Sequence, residues 1–374
     1  MDSIARAWNA QEVLSEARSA VAGEPRPCAL IDLDAFEANA ATVLKAAQQK
    51  PVRVATKSVR CVALLRRLVK LPGVRGLMTY SARETAWLAS LGFDDLLLAY
   101  PTLRDASLLA QSGAAVTADS PAHLAALSAG YAGRRIPVVL DVDMSFRVGP
   151  AHLGVRRSPL RTLPEVAALA ASVRADPHLE FRGLLAYEAQ IAGTGDTPAL
   201  RALKALSRPE VARRRKDLAD ALRPELFNGG GTGSLDSSSA EEALTEVAAG
   251  SGFFKPHLFD HLTWLRPAAF FALEVTRTPA PGIFTCQGGG FIASGEAGPS
   301  RLPRPAEPDL ELLSFEGAGE VQTPLRGARK PGDTVLFRHA KAGELCEHFN
   351  ELLLVRGGRV EARAKTYRGE GHAF

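Results

Sequence analysis

Between about residues 27 and 265 the chain alternates short apolar runs with longer stretches of helical character. That alternation constrains the fold more than any other feature of the sequence. Residues 28–33, 52–55, 76–80, 95–100, 115–117, 136–143, 183–187 and 225–228 read as strands. Helical segments separate them: residues 34–49 carry Phe36, Ala40, Val43 and Leu44 on one face, and a long segment runs from Thr197 to Leu222. Strand–helix units at this spacing imply a parallel sheet with helical crossovers. About eight in succession favour a closed (β/α)8 barrel over an open, doubly wound sheet.

From residue 266 the texture changes. Short apolar runs at 270–276, 282–286, 289–293, 335–338, 351–355 and 359–363 lie between Gly and Pro turns, and Gly357-Gly358 joins the last two as a hairpin signal. The expected organisation is an N-terminal helical segment (1–26), a barrel (27–265) and a β domain (266–374). The length of 374 residues fits a barrel of roughly 240 residues plus a β domain of about 100.

Composition narrows the class of function. Hydrophobic residues make up 46% of the chain and charged residues 23%, too apolar a balance for disorder. The net charge of +4 is dispersed, and the one compact basic run, Arg213-Arg214-Arg215-Lys216, reads as a solvated helix face. A nucleic-acid partner is therefore not expected. No apolar run reaches about 18 residues, so no membrane span is expected either. Cys28, Cys61, Cys286 and Cys346 are too few and too scattered for a disulfide framework, which implies a reducing, cytoplasmic setting.

In a barrel, functional groups gather where strands end and βα loops begin. Lys57, in Pro51-Val-Arg-Val-Ala-Thr-Lys57-Ser58, directly follows an apolar strand; desolvation at a barrel mouth would favour the free amine that a Schiff base requires. Taken alone, a lysine snorkelling from a strand end explains it better. Asn228-Gly-Gly-Gly-Thr-Gly-Ser234 follows a late strand, and its glycines and hydroxyls suit a phosphate, although it has neither the spacing of a nucleotide loop nor GxGxxG. Arg147, after the 136–143 strand, would hold a phenolate or carboxylate, or close a rim salt bridge. Tyr187-Glu188 ends another strand. Glu344, Cys346 and His348 alternate along what reads as an extended segment, a pattern that suits a metal but also arises by chance.

An amine at the mouth, an anion loop after a late strand and a following β domain form a joint pattern. With it the chain resembles the fold-type III pyridoxal-phosphate (PLP) enzymes of the D-threonine aldolase and D-serine dehydratase group, built on an alanine-racemase-like barrel. The resemblance runs from about Pro27 to the end. It rests on Ala29-Leu-Ile-Asp-Leu-Asp34 opening the barrel, Ala55-Thr-Lys57-Ser58, Leu98-Ala-Tyr-Pro101, Thr117-Ala-Asp-Ser120, Gly183-Leu-Leu-Ala-Tyr-Glu188 and Gly229-Gly-Gly-Thr-Gly233.

The resemblance implies that Lys57 holds PLP through a Schiff base. Gly230, Gly231, Thr232 and Ser251 would contact its phosphate, Arg147 would lie near its phenolic oxygen, and Tyr187 would line the site. Glu344, Cys346 and His348 would be the ligands of a divalent metal, Zn or Mn. This sequence departs from the family at Ser58-Val59, where relatives have a Thr-His step; at Ala189-Gln190, where they have Gly-His; and at Ala248, where they have an arginine. The implied activity is that of a lyase on a D-β-hydroxy-α-amino acid, by retro-aldol cleavage or by loss of water. A racemase is the alternative, and a non-catalytic cofactor carrier the third reading. A homodimer is expected with any of them.

Overall fold

The computed structural model describes residues 10–374; the first nine residues of the expected N-terminal helical segment lie outside the described residues. The described chain falls into two compact units. One comprises residues 43–57, 65–250 and 374, and the other residues up to 42, 58–64 and 251–373.

The first unit is a closed barrel of eight parallel strands, in order Val52–Ala55, Val74–Thr79, Leu96–Leu98, Ala115–Ala118, Ile136–Asp141, Leu179–Ala186, Leu226–Gly229 and Glu246–Ala249. The last pairs with the first, Val247 opposite Val52 and Ala249 opposite Val54. Strand alternation sends every second side chain inward. Met78, Leu97, Val139, Leu185, Leu226 and Ala248 form the inner cluster. Arg53 is in register with Ala248, so it too points inward, and it is fully buried. It meets Glu246 with two bonds, Nε to Oε1 (2.6 Å) and Nη2 to Oε2 (2.8 Å), and donates to the Asp95 carbonyl (2.6 Å). Asn228 Nδ2 donates to the same Glu246 carboxylate (2.8 Å).

The number of barrel strands matches the sequence reading, but their membership does not. Cys28–Asp32 is not a barrel strand. It pairs antiparallel with Ala269–Ala280 and parallel with Glu351–Arg356 in the nine-stranded sheet of the second unit. Leu30 packs there with Phe270, Ala272, Leu336, Leu353 and Val355, and with Leu14, Ala17 and Val21 of the helix Ala10–Val21. The eighth barrel strand is Glu246–Ala249, whose short Glu-Val-Ala-Ala run carries little β-branched or aromatic signal.

Within the sheet, Gly357 and Gly358 both take positive φ (52° and 73°) and make the expected two-residue hairpin, with Arg356 opposite Arg359. Residues 289–293 form no strand, whereas Gln322–Arg326 does, with Pro324 in it. Among the described residues no helix is long and apolar enough to cross a membrane.

The Arg53–Glu246 pair gives a stability prediction. Arg53→Met should cost about 3–5 kcal/mol, because it strands a buried carboxylate, whereas replacing both residues by apolar ones of similar volume should recover most of that loss. Urea unfolding of the two variants checks it.

Candidate active site

The inward rows of the barrel converge at the C-terminal ends of the strands. Ala55 is in register with inward Met78, and Lys57 follows that strand in the 3-10 turn Thr56–Ser58. Its Nζ lies 4.6 Å from the centroid of the Tyr80 ring. The Lys57 side chain is exposed.

Asp141 is opposite inward Leu185 and faces the same space. Its Oδ2 is buried without a hydrogen-bond partner. Burial pushes its pKa up to about 7; Arg157 opposes the rise, and the Asp119 and Asp143 charges add to it. Arg157 lies over the Tyr187 ring, 5.6 Å from its centroid. Burial raises the Tyr187 phenol to about 12, with Glu188 adding to the rise. Burial also raises Tyr80, whose phenol feels both Tyr187 and Arg157, so these groups share one mouth.

Arg147 is placed differently from Arg157. It lies in a small hairpin (Phe146–Val148 with Ala151–Leu153) and donates from Nη2 to Asp143 Oδ2 (2.7 Å), an oxygen that Arg161 also holds (3.0 Å). Arg157 is the arginine beside the tyrosines, and the sequence reading missed it. Nothing in the local sequence separates it from Arg147, Arg156 or Arg161.

The strand Leu226–Gly229 runs into Gly230 at φ +82°, a conformation that L side chains rarely adopt. At Gly231 a Cβ would come within 2.9 Å of Ala192 Cβ and 3.3 Å of the Tyr187 ring. Buried Thr232 opens the turn Thr232–Ser234, and its Oγ1 accepts from the Gly250 amide at 3.5 Å. Ser251 follows at the start of the short helix Ser251–Phe254. A turn with no room for Cβ atoms, a threonine hydroxyl, and the Lys57 and Arg157 cations form a donor set that fits a phosphorylated carbonyl compound.

Residues 31–257 match the family model described as "Alanine racemase, N-terminal domain". The chain belongs to that family. It is 27% identical over 241 residues to 3-hydroxy-D-aspartate aldolase of Paracoccus denitrificans, an alignment that takes in 61% of this chain and 60% of that relative's length. Among solved structures, D-threonine aldolase from Filomicrobium marinum superposes with a TM-score of 0.77 at 23% identity, covering 93% of this chain and 96% of the other. D-threo-3-hydroxyaspartate dehydratase from Delftia sp. HT23 does so with a TM-score of 0.72 at 18% identity, covering 93% and 98%. These likenesses establish the fold along nearly the whole chain.

The expected metal ligands do not converge, and no group of three His, Cys, Asp or Glu suited to a metal occurs among the described residues. Their segment is a 3-10 helix, Glu344–Glu347, rather than extended, so alternate positions do not share a side. Glu344 is held by the Ser294 amide and hydroxyl. Buried Cys346 donates its thiol to the Val59 carbonyl (3.3 Å), and burial raises its pKa. His348 stacks on Phe291 with centroids 4.8 Å apart. Val59 itself is fully buried. As placed among the described residues, these three side chains are engaged elsewhere and form no metal site.

Asp141 gives a pH prediction. Its folded pKa lies above the unfolded value, so ionisation carries no cost below about pH 4 and an increasing cost as pH rises toward 7. In the cofactor-free protein, the stability of Asp141→Asn relative to the parent should therefore rise from pH 5 to pH 8, by on the order of 2 kcal/mol. Thermal unfolding at the two pH values measures it; a constant difference would show that Asp141 ionises normally.

Proposed function

We propose that the chain is a PLP-dependent lyase acting on a D-β-hydroxy-α-amino acid, by retro-aldol cleavage or by dehydration. The observation that carries this reading is the joint placement of Lys57, Arg157 and the glycine turn at one barrel mouth. Lys57 would hold the cofactor, with Tyr187 and Arg157 against it and Gly230, Gly231, Thr232 and Ser251 around its phosphate. We assign the contact to the phenolic oxygen to Arg157 rather than Arg147, because Arg147 is committed to Asp143. The names of the relatives, an aldolase and a dehydratase of hydroxyaspartate and a D-threonine aldolase, support the substrate class. A homodimer in the cytoplasm belongs to the same reading.

When bound, PLP supplies an electron sink that weakens the bonds at the substrate α-carbon. The chain's own residues do the rest. Lys57 would hold the cofactor and would carry a proton at Nζ. Arg157, a permanent cation, orients an anionic oxygen beside Tyr187. Tyr187 stays protonated at neutral pH and donates from its hydroxyl. Asp141 titrates near neutrality and can give up or take a proton within the mouth.

Product analysis with D-threonine and D-3-hydroxyaspartate tests the proposal. Glycine with an aldehyde marks cleavage, and an oxoacid with ammonia marks dehydration. Lys57→Ala should lower either by about 10³-fold or more. Formation of only the inverted amino acid would instead establish a racemase, and no reaction at all with the PLP-loaded protein would remove the substrate class.

A further inference from the structure

Beneath the glycine turn lies a closed polar cluster with no part in the proposed chemistry. Glu188, two residues beyond the strand Leu179–Ala186, is 1% exposed, and its carboxylate is fully engaged. Oε2 accepts from the Gly230 amide (3.1 Å) and from Arg215. Oε1 accepts from the Ser234 and Ser238 hydroxyls, at 2.6 and 2.7 Å. Ser234 Oγ in turn accepts from the Gly231 amide (3.1 Å). The first two amides of the turn therefore point down into the cluster, one bonded to Glu188 directly and the other through Ser234.

Arg215 completes the cluster. Its side chain is fully buried, and it also donates to Glu241 Oε1 (2.7 Å) and to the Ala186 carbonyl (2.6 Å). At Gly229 a Cβ would come within 2.8 Å of its Nη2, so a side chain there would displace the guanidinium. Burial alone would raise the pKa of Glu188, but Arg215 and the two serines outweigh it and hold the carboxylate ionised.

We propose that Glu188, Arg215 and Ser234 are positioning residues for the glycine turn: they fix its backbone so that the outer side receives the cofactor phosphate, without touching that phosphate themselves. The inference rests on the PLP reading above. A buried carboxylate next to a phosphate site would, as a charge, weaken phosphate binding. Arg215 neutralises it, and what remains is its grip on two backbone amides. Charge and position thus predict opposite signs. Neutralising Glu188 should tighten binding of an anion if only charge matters, and weaken it if the carboxylate organises the turn.

The test compares PLP with pyridoxal, which reacts with the same lysine but has no phosphate, by titrating the cofactor absorbance band of the full chain. Glu188→Gln and Ser234→Ala should each weaken PLP roughly 10- to 100-fold while changing pyridoxal by no more than about twofold. Ser238→Ala, which removes a bond to Glu188 and a long one to Ser234 Oγ (3.4 Å) but none to the turn's backbone amides, should have a smaller effect on PLP. Unchanged or tighter PLP binding in Glu188→Gln, or equal losses for PLP and pyridoxal, would overturn the proposal. If Glu188→Gln does not fold, Ser234→Ala decides by the same criteria. A parent protein that binds neither compound removes the cofactor reading itself, and with it this proposal.

Discussion

The two-pronged contact between Arg53 and Glu246 ties the first barrel strand to the last, where the sheet must close on itself. Closure fixes which side chains point inward, and the inward rows then determine the site. Arg53 and Ala55 form one such row, leading from the buried ion pair to the turn Thr56–Ser58 that carries Lys57. Leu185 and Tyr187 form a second, and Val139 and Asp141 a third. An ion pair is a costly way to fill a barrel interior, because both charges lose their water. Here the guanidinium is bonded at Nε and at both terminal nitrogens, and the carboxylate also accepts from Asn228.

The barrel and its mouth are largely legible in the sequence, because parallel strands and the residues just past them leave local signals. Lys57, Tyr187 and the 228–234 glycine run stand at strand ends as their positions imply. What local signals cannot show is which sheet a strand joins. Cys-Ala-Leu-Ile-Asp at 28–32 has the composition of a buried parallel strand and is one, but its parallel neighbour is Glu351–Arg356. Its partners lie hundreds of residues away, and no periodicity reports them.

Charged residues are where the sequence misleads most. The Arg213–Lys216 run reads as a solvated face, yet only two of its members behave that way: Arg213 and Lys216 pair on the surface with Asp217 and Asp220. Arg214 reaches the carbonyls of Asp143 and Arg161, and Arg215 is wholly buried against Glu188. The 3.6-residue period distributes the four around the helix, but a run of one charge hides which side is inside. The 344–348 segment errs in the opposite sense. Its alternating donors suggest a metal site, and a 3-10 turn then turns them toward Ser294, Val59 and Phe291.

The account centres on one amine. Lys50, Lys204 and Lys255 have pKa values lowered by burial, and each donates to backbone carbonyls. The Lys57 side chain is exposed at the mouth, its Nζ 4.6 Å from the centroid of the Tyr80 ring. Borohydride reduction of the protein with bound PLP, followed by peptide mapping by mass spectrometry, distinguishes them directly. The account predicts the cofactor's mass on the peptide containing Lys57 and on no other; an adduct on Lys50, Lys204 or Lys255, or none on Lys57, would contradict it.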